Sequence, residues 1–193
     1  GPRINYGLEW FVDSGDESNM KITIGQNYRF NKKEKRNFSE ISDYFVSSNV
    51  SINKNNYFNN SFIIDREDID IKSINMNAYS VINDFKLAID YDYASKKYSD
   101  SEEQISIGGE YKFANDFFLR FTGSKNIDTN KNIGYQYGIL YENDCLGIDF
   151  NYYRDLTKDR DIEESDGYSF TIVLKPFGST RSYGKNKVFG PQL

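Results

Sequence analysis

The sequence has no histidine and one cysteine in 193 residues. Without histidine, neither a Ser-His nucleophile nor a His-ligated zinc site can be built from this chain. Phospholipase chemistry of the Ser-His type is excluded on the same ground. A lone cysteine closes no disulfide within the chain. Proline occurs 3 times, and none interrupts a segment that reads as a strand. No apolar run approaches the roughly 20 residues of a membrane-spanning helix. An excess of positive charge is missing too. The formal net charge is -5 and the pI about 4.9, so no nucleic-acid partner is expected. No pair of carboxylates is set apart by its spacing. Gly108-Gly109 in "SIGGEYKF" lacks the phosphate-cradle pattern and precedes no helix. The expectation is a protein that is not an enzyme and takes no cofactor or metal. No signal peptide opens the sequence at Gly1-Pro2-Arg3, so the chain is expected to be part of a longer one.

Aromatic residues, in contrast, are abundant: 17%, with Tyr 16 and Phe 15, in a chain whose mean hydropathy is only -0.71. Disordered polar chains are poor in such residues. Here they follow strict alternation, the period of a strand with two unlike faces. "RINYGLEWFV" puts Ile4, Tyr6, Leu8, Trp10 and Val12 opposite Arg3, Asn5, Gly7 and Glu9. "MKITIGQNYRF" puts Met20, Ile22, Ile24, Tyr28 and Phe30 opposite Lys21, Thr23, Asn27 and Arg29. The same pattern runs through "FKLAIDYDY", "QISIGGEYKF", "NIGYQYGILY", "CLGIDFNYYR" and "YSFTIVL". It is weaker in "DYFVSSNVSI", "YFNNSFII" and "FFLRFTGS". "DIDIKSINMNAYSVI" changes phase near Lys72, where a bulge is expected. About eleven strands result, many near the 9–11 residues that cross a bilayer at a tilt. No helical window competes.

Connection lengths add a second signal. Counting back from the last strand, Asp155 to Asp166 is long and Glu142 to Asp144 short. Lys125 to Asn132 is long and Ala114 to Asp116 short. Ala94 to Glu102 is long and Asn83-Asp84 short, and Asn31 to Ser42 is long again. Only Asp65 to Asp68 and Asp13 to Asn19 blur the rhythm. Outer-membrane barrels have short periplasmic turns and longer outer loops, whereas a Greek-key sandwich has no reason to alternate. The polar face carries Arg29, Asp90, Glu110, Lys112, Arg120 and Asp149. These are costly in a dry core and comfortable in a wet lumen. Two alternatives stay open: a porin-like channel, and a soluble β-sandwich binding module whose charged face meets solvent. The acidic segment Asp155 to Asp166, with Asp159, Asp161, Glu163 and Glu164, lacks the Gly and terminal Glu of a Ca²⁺ loop and reads as a solvated loop.

"YENDCLGIDFNYYRDLTKDRDIEESDGYSFTIVLKPFG", Tyr141 to Gly178, resembles the end of the LptD family of lipopolysaccharide-assembly proteins, also called organic solvent tolerance proteins. Its alphaproteobacterial branch is the nearest in kind. The likeness lies in the acidic turn and cysteine at Tyr141 to Cys145, in Tyr153-Arg154, in "DRDI" at Asp159 to Ile162 and in "LKPFG" at Leu174 to Gly178. "GPRINYGLEW", "FIIDREDIDIKSINMNAYS" and "EEQISIGGEYKF" look like barrel strands of the same family. The resemblance implies an all-β, antiparallel transmembrane β-barrel in the cell outer membrane. Residues 1–178 would supply about the last eleven strands of a larger barrel, and residues 179–193 a C-terminal tail. It also implies lipopolysaccharide as cargo, a lateral opening lined by the last strand (Tyr168, Phe170, Ile172, Leu174), and Pro176 ending that strand's pairing. The implied partners are outer-membrane lipids, a plug lipoprotein of the LptE type, and a periplasmic bridge of the LptA type reached through a domain outside this chain. Cys145 would bond to a cysteine of that domain. The other reading of Cys145 is a buried free thiol.

Overall fold

The computed structural model describes residues 2–15, 17–30, 40–97, 102–157 and 163–175. Pro176, the tail 179–193, Asp159 and Asp161 lie outside them. The described residues form eleven strands and no α-helix. In chain order these are β1 (Arg3–Gly15), β2 (Ser18–Arg29), β3 (Tyr44–Asn53), β4 (Asn56–Ile64), β5 (Ile71–Ile82) and β6 (Phe85–Ala94). β7 (Glu102–Ala114), β8 (Phe117–Asn126), β9 (Lys131–Glu142), β10 (Leu146–Asp155) and β11 (Ser165–Leu174) complete the set. They make one antiparallel sheet whose order is the sequence order, β1 through β11. The sheet is not closed: among the described residues, β1 neighbours only β2 and β11 only β10.

Alternation explains the strands; turn chemistry explains where they stop. Asn83 (φ 55°) occupies the left-handed region between β5 and β6, and Asn130 (φ 55°) does so between β8 and β9. Asn tolerates that region because its short amide bonds locally. Register shifts sit near strand ends, at Asp13/Gly15, Ser51/Asn53, Lys112/Ala114 and Ser124/Lys125. β5 begins at Ile71, so the phase change seen near Lys72 coincides with a strand start.

The chain divides into two compact units, Gly1–Ala78 with Tyr91–Glu103, and Tyr79–Asp90 with Gln104–Leu193. Each keeps the rhythm of connection lengths. In the first, 16–17 and 54–55 are short, while 30–43, 65–70 and 95–101 are long. In the second, 83–84, 115–116 and 143–145 are short, while 127–130 and 156–164 are longer. The two connections that blurred the pattern in the sequence resolve, one into a two-residue turn and one into a six-residue loop.

Few side chains of either kind, apolar or polar, are buried among the described residues. Leu140 is the only buried hydrophobic side chain among the described residues, whereas Asp65, Glu110 and Asn151 are buried polar ones. On β11 exposure follows the alternation, with Tyr168, Phe170, Ile172 and Leu174 exposed and Ser169, Thr171 and Val173 half-buried. On β1 every residue is exposed, and on β6 Lys86, Asp90 and Asp92 are exposed while Phe85, Leu87 and Ile89 are half-buried. A row of exposed apolar side chains like that of β11 marks a face that something else covers.

Candidate functional site

The polar face of the second unit is built around one glycine. Cross-strand register puts Glu110 opposite Arg120, Arg120 opposite Gly138, and Gly138 opposite Asn151. A Cβ on Gly138 would collide with Asn151 Oδ1 and stand 3.1 Å from the Phe150 carbonyl oxygen. The bare backbone there lets Arg120 reach past β9. Its Nε donates to Glu110 Oε2 at 2.9 Å, and its Nη1 donates to Asp149 Oδ2 at 3.3 Å. Lys86 Nζ donates to Glu110 Oε1 at 2.7 Å. Charges alternate along this ladder, Lys86, Glu110, Arg120, Asp149, so each buried carboxylate has a cation beside it. Asp149 Oδ1 is buried without a hydrogen-bond partner among the described residues, so the ladder keeps an acceptor to spare there.

Of the six polar-face residues singled out in the sequence, the structure joins three: Glu110, Arg120 and Asp149. Lys112 sits apart, its Nζ 5.9 Å from the centre of the Phe118 ring. Arg29 ends β2 opposite Arg3 in the first unit, and Asp90 is an exposed residue of β6. Lys86 and Asn151 were visible as polar-face residues but not as members of a site. Only the register, which alternation within a strand does not carry, shows that they meet the others.

The opposite face of the second unit is aromatic at both ends. Toward the short connections, Phe113, Phe117 and Tyr141 stand in a row, with centroids 5.8 and 4.9 Å apart. Toward the longer ones, Tyr135 contacts Tyr137 at 5.6 Å and Tyr152 at 6.4 Å, while Tyr168 contacts Tyr152 at 5.3 Å and Phe150 at 5.8 Å. Leu119 and Ile139 lie on this face between the two groups, in one row with Phe150 and Phe170, while Ile148 and Ile172 share the row of Phe117 and Tyr141. β11 carries four of the exposed apolar residues at the end of the sheet, with its full length paired to β10 on one side.

Cys145 is exposed in the short connection after β9, which corrects the buried-thiol reading. Its backbone N–H donates to Asn143 Oδ1 at 2.9 Å, and its carbonyl accepts from the Lys175 N–H at 3.1 Å. The turn that holds the thiol is therefore fixed while the thiol itself meets solvent.

The first unit has its own ionic knot at the connection after β4. Lys72 Nζ donates to Asp43 Oδ2 at 2.8 Å and Asp65 Oδ2 at 2.7 Å. Asp65 Oδ1 accepts from the N–H groups of Glu67 (2.7 Å) and Asp68 (2.9 Å). These bonds, the one from Lys72 foremost, hold the Asp65 carboxyl well below the usual carboxylate range. A depressed native pKa contributes stability above the ordinary value of 3.8 and loses it as pH falls toward the native value. Hydrogen-exchange protection of the Glu67 and Asp68 amides, corrected for intrinsic rates, is expected to hold at about pH 5 and fade only in stronger acid. Asp65→Asn is expected to lower it at both. Protection already gone in the wild type at that milder pH would contradict the knot.

The chain matches no protein-family model and no curated protein.

Proposed function

We propose that this chain is the C-terminal part of an LptD-like outer-membrane barrel that places lipopolysaccharide in the outer leaflet. The observation that carries the reading lies in the second unit: Tyr168, Phe170, Ile172 and Leu174 stand bare on one face, while Glu110, Arg120 and Asp149 are sheltered on the other. Hydrocarbon is the environment that rewards such a face, and a hydrated lumen the one that tolerates its opposite. The two classes of connection support the same placement. An open sheet cannot remain in hydrocarbon, because each unpaired backbone group there costs several kcal/mol, roughly, so further strands must complete it.

Lipopolysaccharide has a charged sugar head and several acyl chains. The head needs a wet route and the chains need a gap in the wall. The edge of β11 supplies one lip of that gap, with Tyr168, Phe170, Ile172 and Leu174 facing the acyl chains. Pro176, which has no N–H, would limit pairing just beyond it. Cys145 would tie the short-turn side to a periplasmic domain, in a compartment that favours disulfides. An LptE-type plug and an LptA-type bridge are the partners this reading requires.

Depleting the full-length protein in the cell that makes it is expected to remove most surface lipopolysaccharide, measured by labelling intact cells, and to leave small-solute uptake intact. Unchanged surface lipopolysaccharide with slowed solute uptake would replace the reading with a porin. Stable, monodisperse full-length protein in buffer without detergent or lipid would replace it with a soluble sheet protein.

A further inference from the structure

The first unit interrupts its own polar face. Across β1, β2 and β3 the register aligns Gly7, Gly25 and Phe45 in one row. The neighbouring rows hold Asn5 opposite Asn27 on one side, and Glu9 opposite Thr23 on the other. Two adjacent glycines leave a gap where side chains would stand. A Cβ on Gly7 would run into the Ile24 carbonyl oxygen, and one on Gly25 would stand 3.0 Å from that of Tyr6. The backbones are thus pressed together and the floor is fixed. The result is a hollow of about 430 Å³ lined by Asn5, Gly7, Thr23, Gly25, Asn27 and Phe45, among others.

Three features of this hollow point to one class of ligand. Phe45 is 44% exposed, with Ile63 of β4 beside it on the same face. It neither fills a core nor belongs to the apolar face of β3, whose residues are Val46, Ser48 and Val50. Asn27 Oδ1 is buried without a hydrogen-bond partner among the described residues, and a buried acceptor left so is costly. The Asn27 backbone is meanwhile fixed from outside: its N–H donates to Ser42 Oγ at 2.9 Å, and its carbonyl accepts from the Ser42 N–H at 2.9 Å. The nearest charges cancel, since Glu9 pairs with Lys21 at 2.8 Å. A ring-shaped wall, amide and hydroxyl groups, a backbone floor and no net charge suit an uncharged pyranose. Its C–H face packs on Phe45, and its hydroxyls reach the side chains of Asn5, Thr23 and Asn27 that line the hollow. The volume falls within the roughly 300–1,000 Å³ of small-molecule pockets.

We propose that this hollow is a binding subsite for a neutral sugar ring of a glycan. It goes beyond the transport reading, because the sugar can arrive free or as part of a lipid-anchored glycan. The test uses the full-length protein in detergent, with Trp10→Phe as background and Phe45→Trp as reporter. Neutral oligosaccharides (maltotriose and a galactose disaccharide) form one arm, and delipidated O-polysaccharide from the producing cell forms the other. Saturable fluorescence change in either arm is expected, and the responding arm identifies the source. Calorimetry on the native sequence gives the reference affinity. Phe45→Ala is expected to weaken binding about tenfold, while Phe45→Trp keeps it. Thr23→Val and Asn27→Asp, checked for folding by heat-modifiable migration, are expected to weaken it as well. No saturable binding in either arm, or equal affinity in Phe45→Ala, would overturn the subsite and leave the transport reading to its own depletion test.

Discussion

Ile139→Arg is expected to destabilise the full-length protein in lipid vesicles by about 2–4 kcal/mol, the cost of an arginine facing the middle of a bilayer from a barrel strand. Ile139 is 48% exposed. On a water-soluble protein, a substitution at so open a position changes stability by only about 0.5 kcal/mol either way. The two environments therefore predict effects several times apart at one residue. Register locates Ile139 between Leu119 of β8 and Phe150 of β10, on the apolar face of the second unit. Gln136 is the control. It lies on the opposite face of β9, beside Thr122 and Tyr153, and Gln136→Arg is expected to cost less than about 1 kcal/mol in a wet lumen. Urea unfolding in vesicles, followed by heat-modifiable migration, measures both. Equal and small effects at the two positions would remove the lipid-facing assignment, and with it the main support for the proposed function.

Much of this fold is legible in the sequence because a strand's period is local. Each of Tyr6, Leu8 and Trp10 declares its face relative to its own neighbours, so no knowledge of the rest of the chain is needed. Connection lengths are equally local, and Asn83 marks its turn through one amide side chain. The site is less legible because it depends on register, which is a relation between strands. Glu110, Arg120 and Asp149 read as polar-face residues one at a time. Nothing in "FNYYRD" or "GYQYGILY" says that Asn151 will fill the space over Gly138, or that Arg120 will cross the same strand. The hollow of the first unit was missed for a related reason. In "DYFVSSNVSI", Tyr44, Val46 and Val50 state the pattern and Phe45 breaks it. A single out-of-phase aromatic was a usable signal, but its meaning required Gly7 and Gly25 to stand beside it. The buried-thiol reading of Cys145 failed because a short turn between two strands has no second layer to cover it.

Arg120→Leu is expected to cost about 3 kcal/mol, the scale on which a sheltered carboxylate loses its cation. Arg120 alone joins the two acids of the ladder, through Nε to Glu110 and Nη1 to Asp149. Glu110 is only 8% exposed, so water cannot readily replace the guanidinium. Among the described residues, Asp149 would keep no cation once Nη1 is gone, with its Oδ1 already lacking a partner there. Lys86→Leu removes a cation from the same carboxylate, yet the Lys86 side chain is 47% exposed. An ion pair whose cation is that well hydrated contributes about 0–1 kcal/mol, and the loss is expected to stay within that range. The pair of substitutions thus separates a sheltered bridge from a solvated one at a shared acceptor. A double-mutant cycle on Arg120→Leu and Glu110→Gln isolates the link, with a coupling of about 1–3 kcal/mol expected. A coupling near zero would mean that water screens the whole ladder, and that Gly138 opens space for solvent rather than for the arginine.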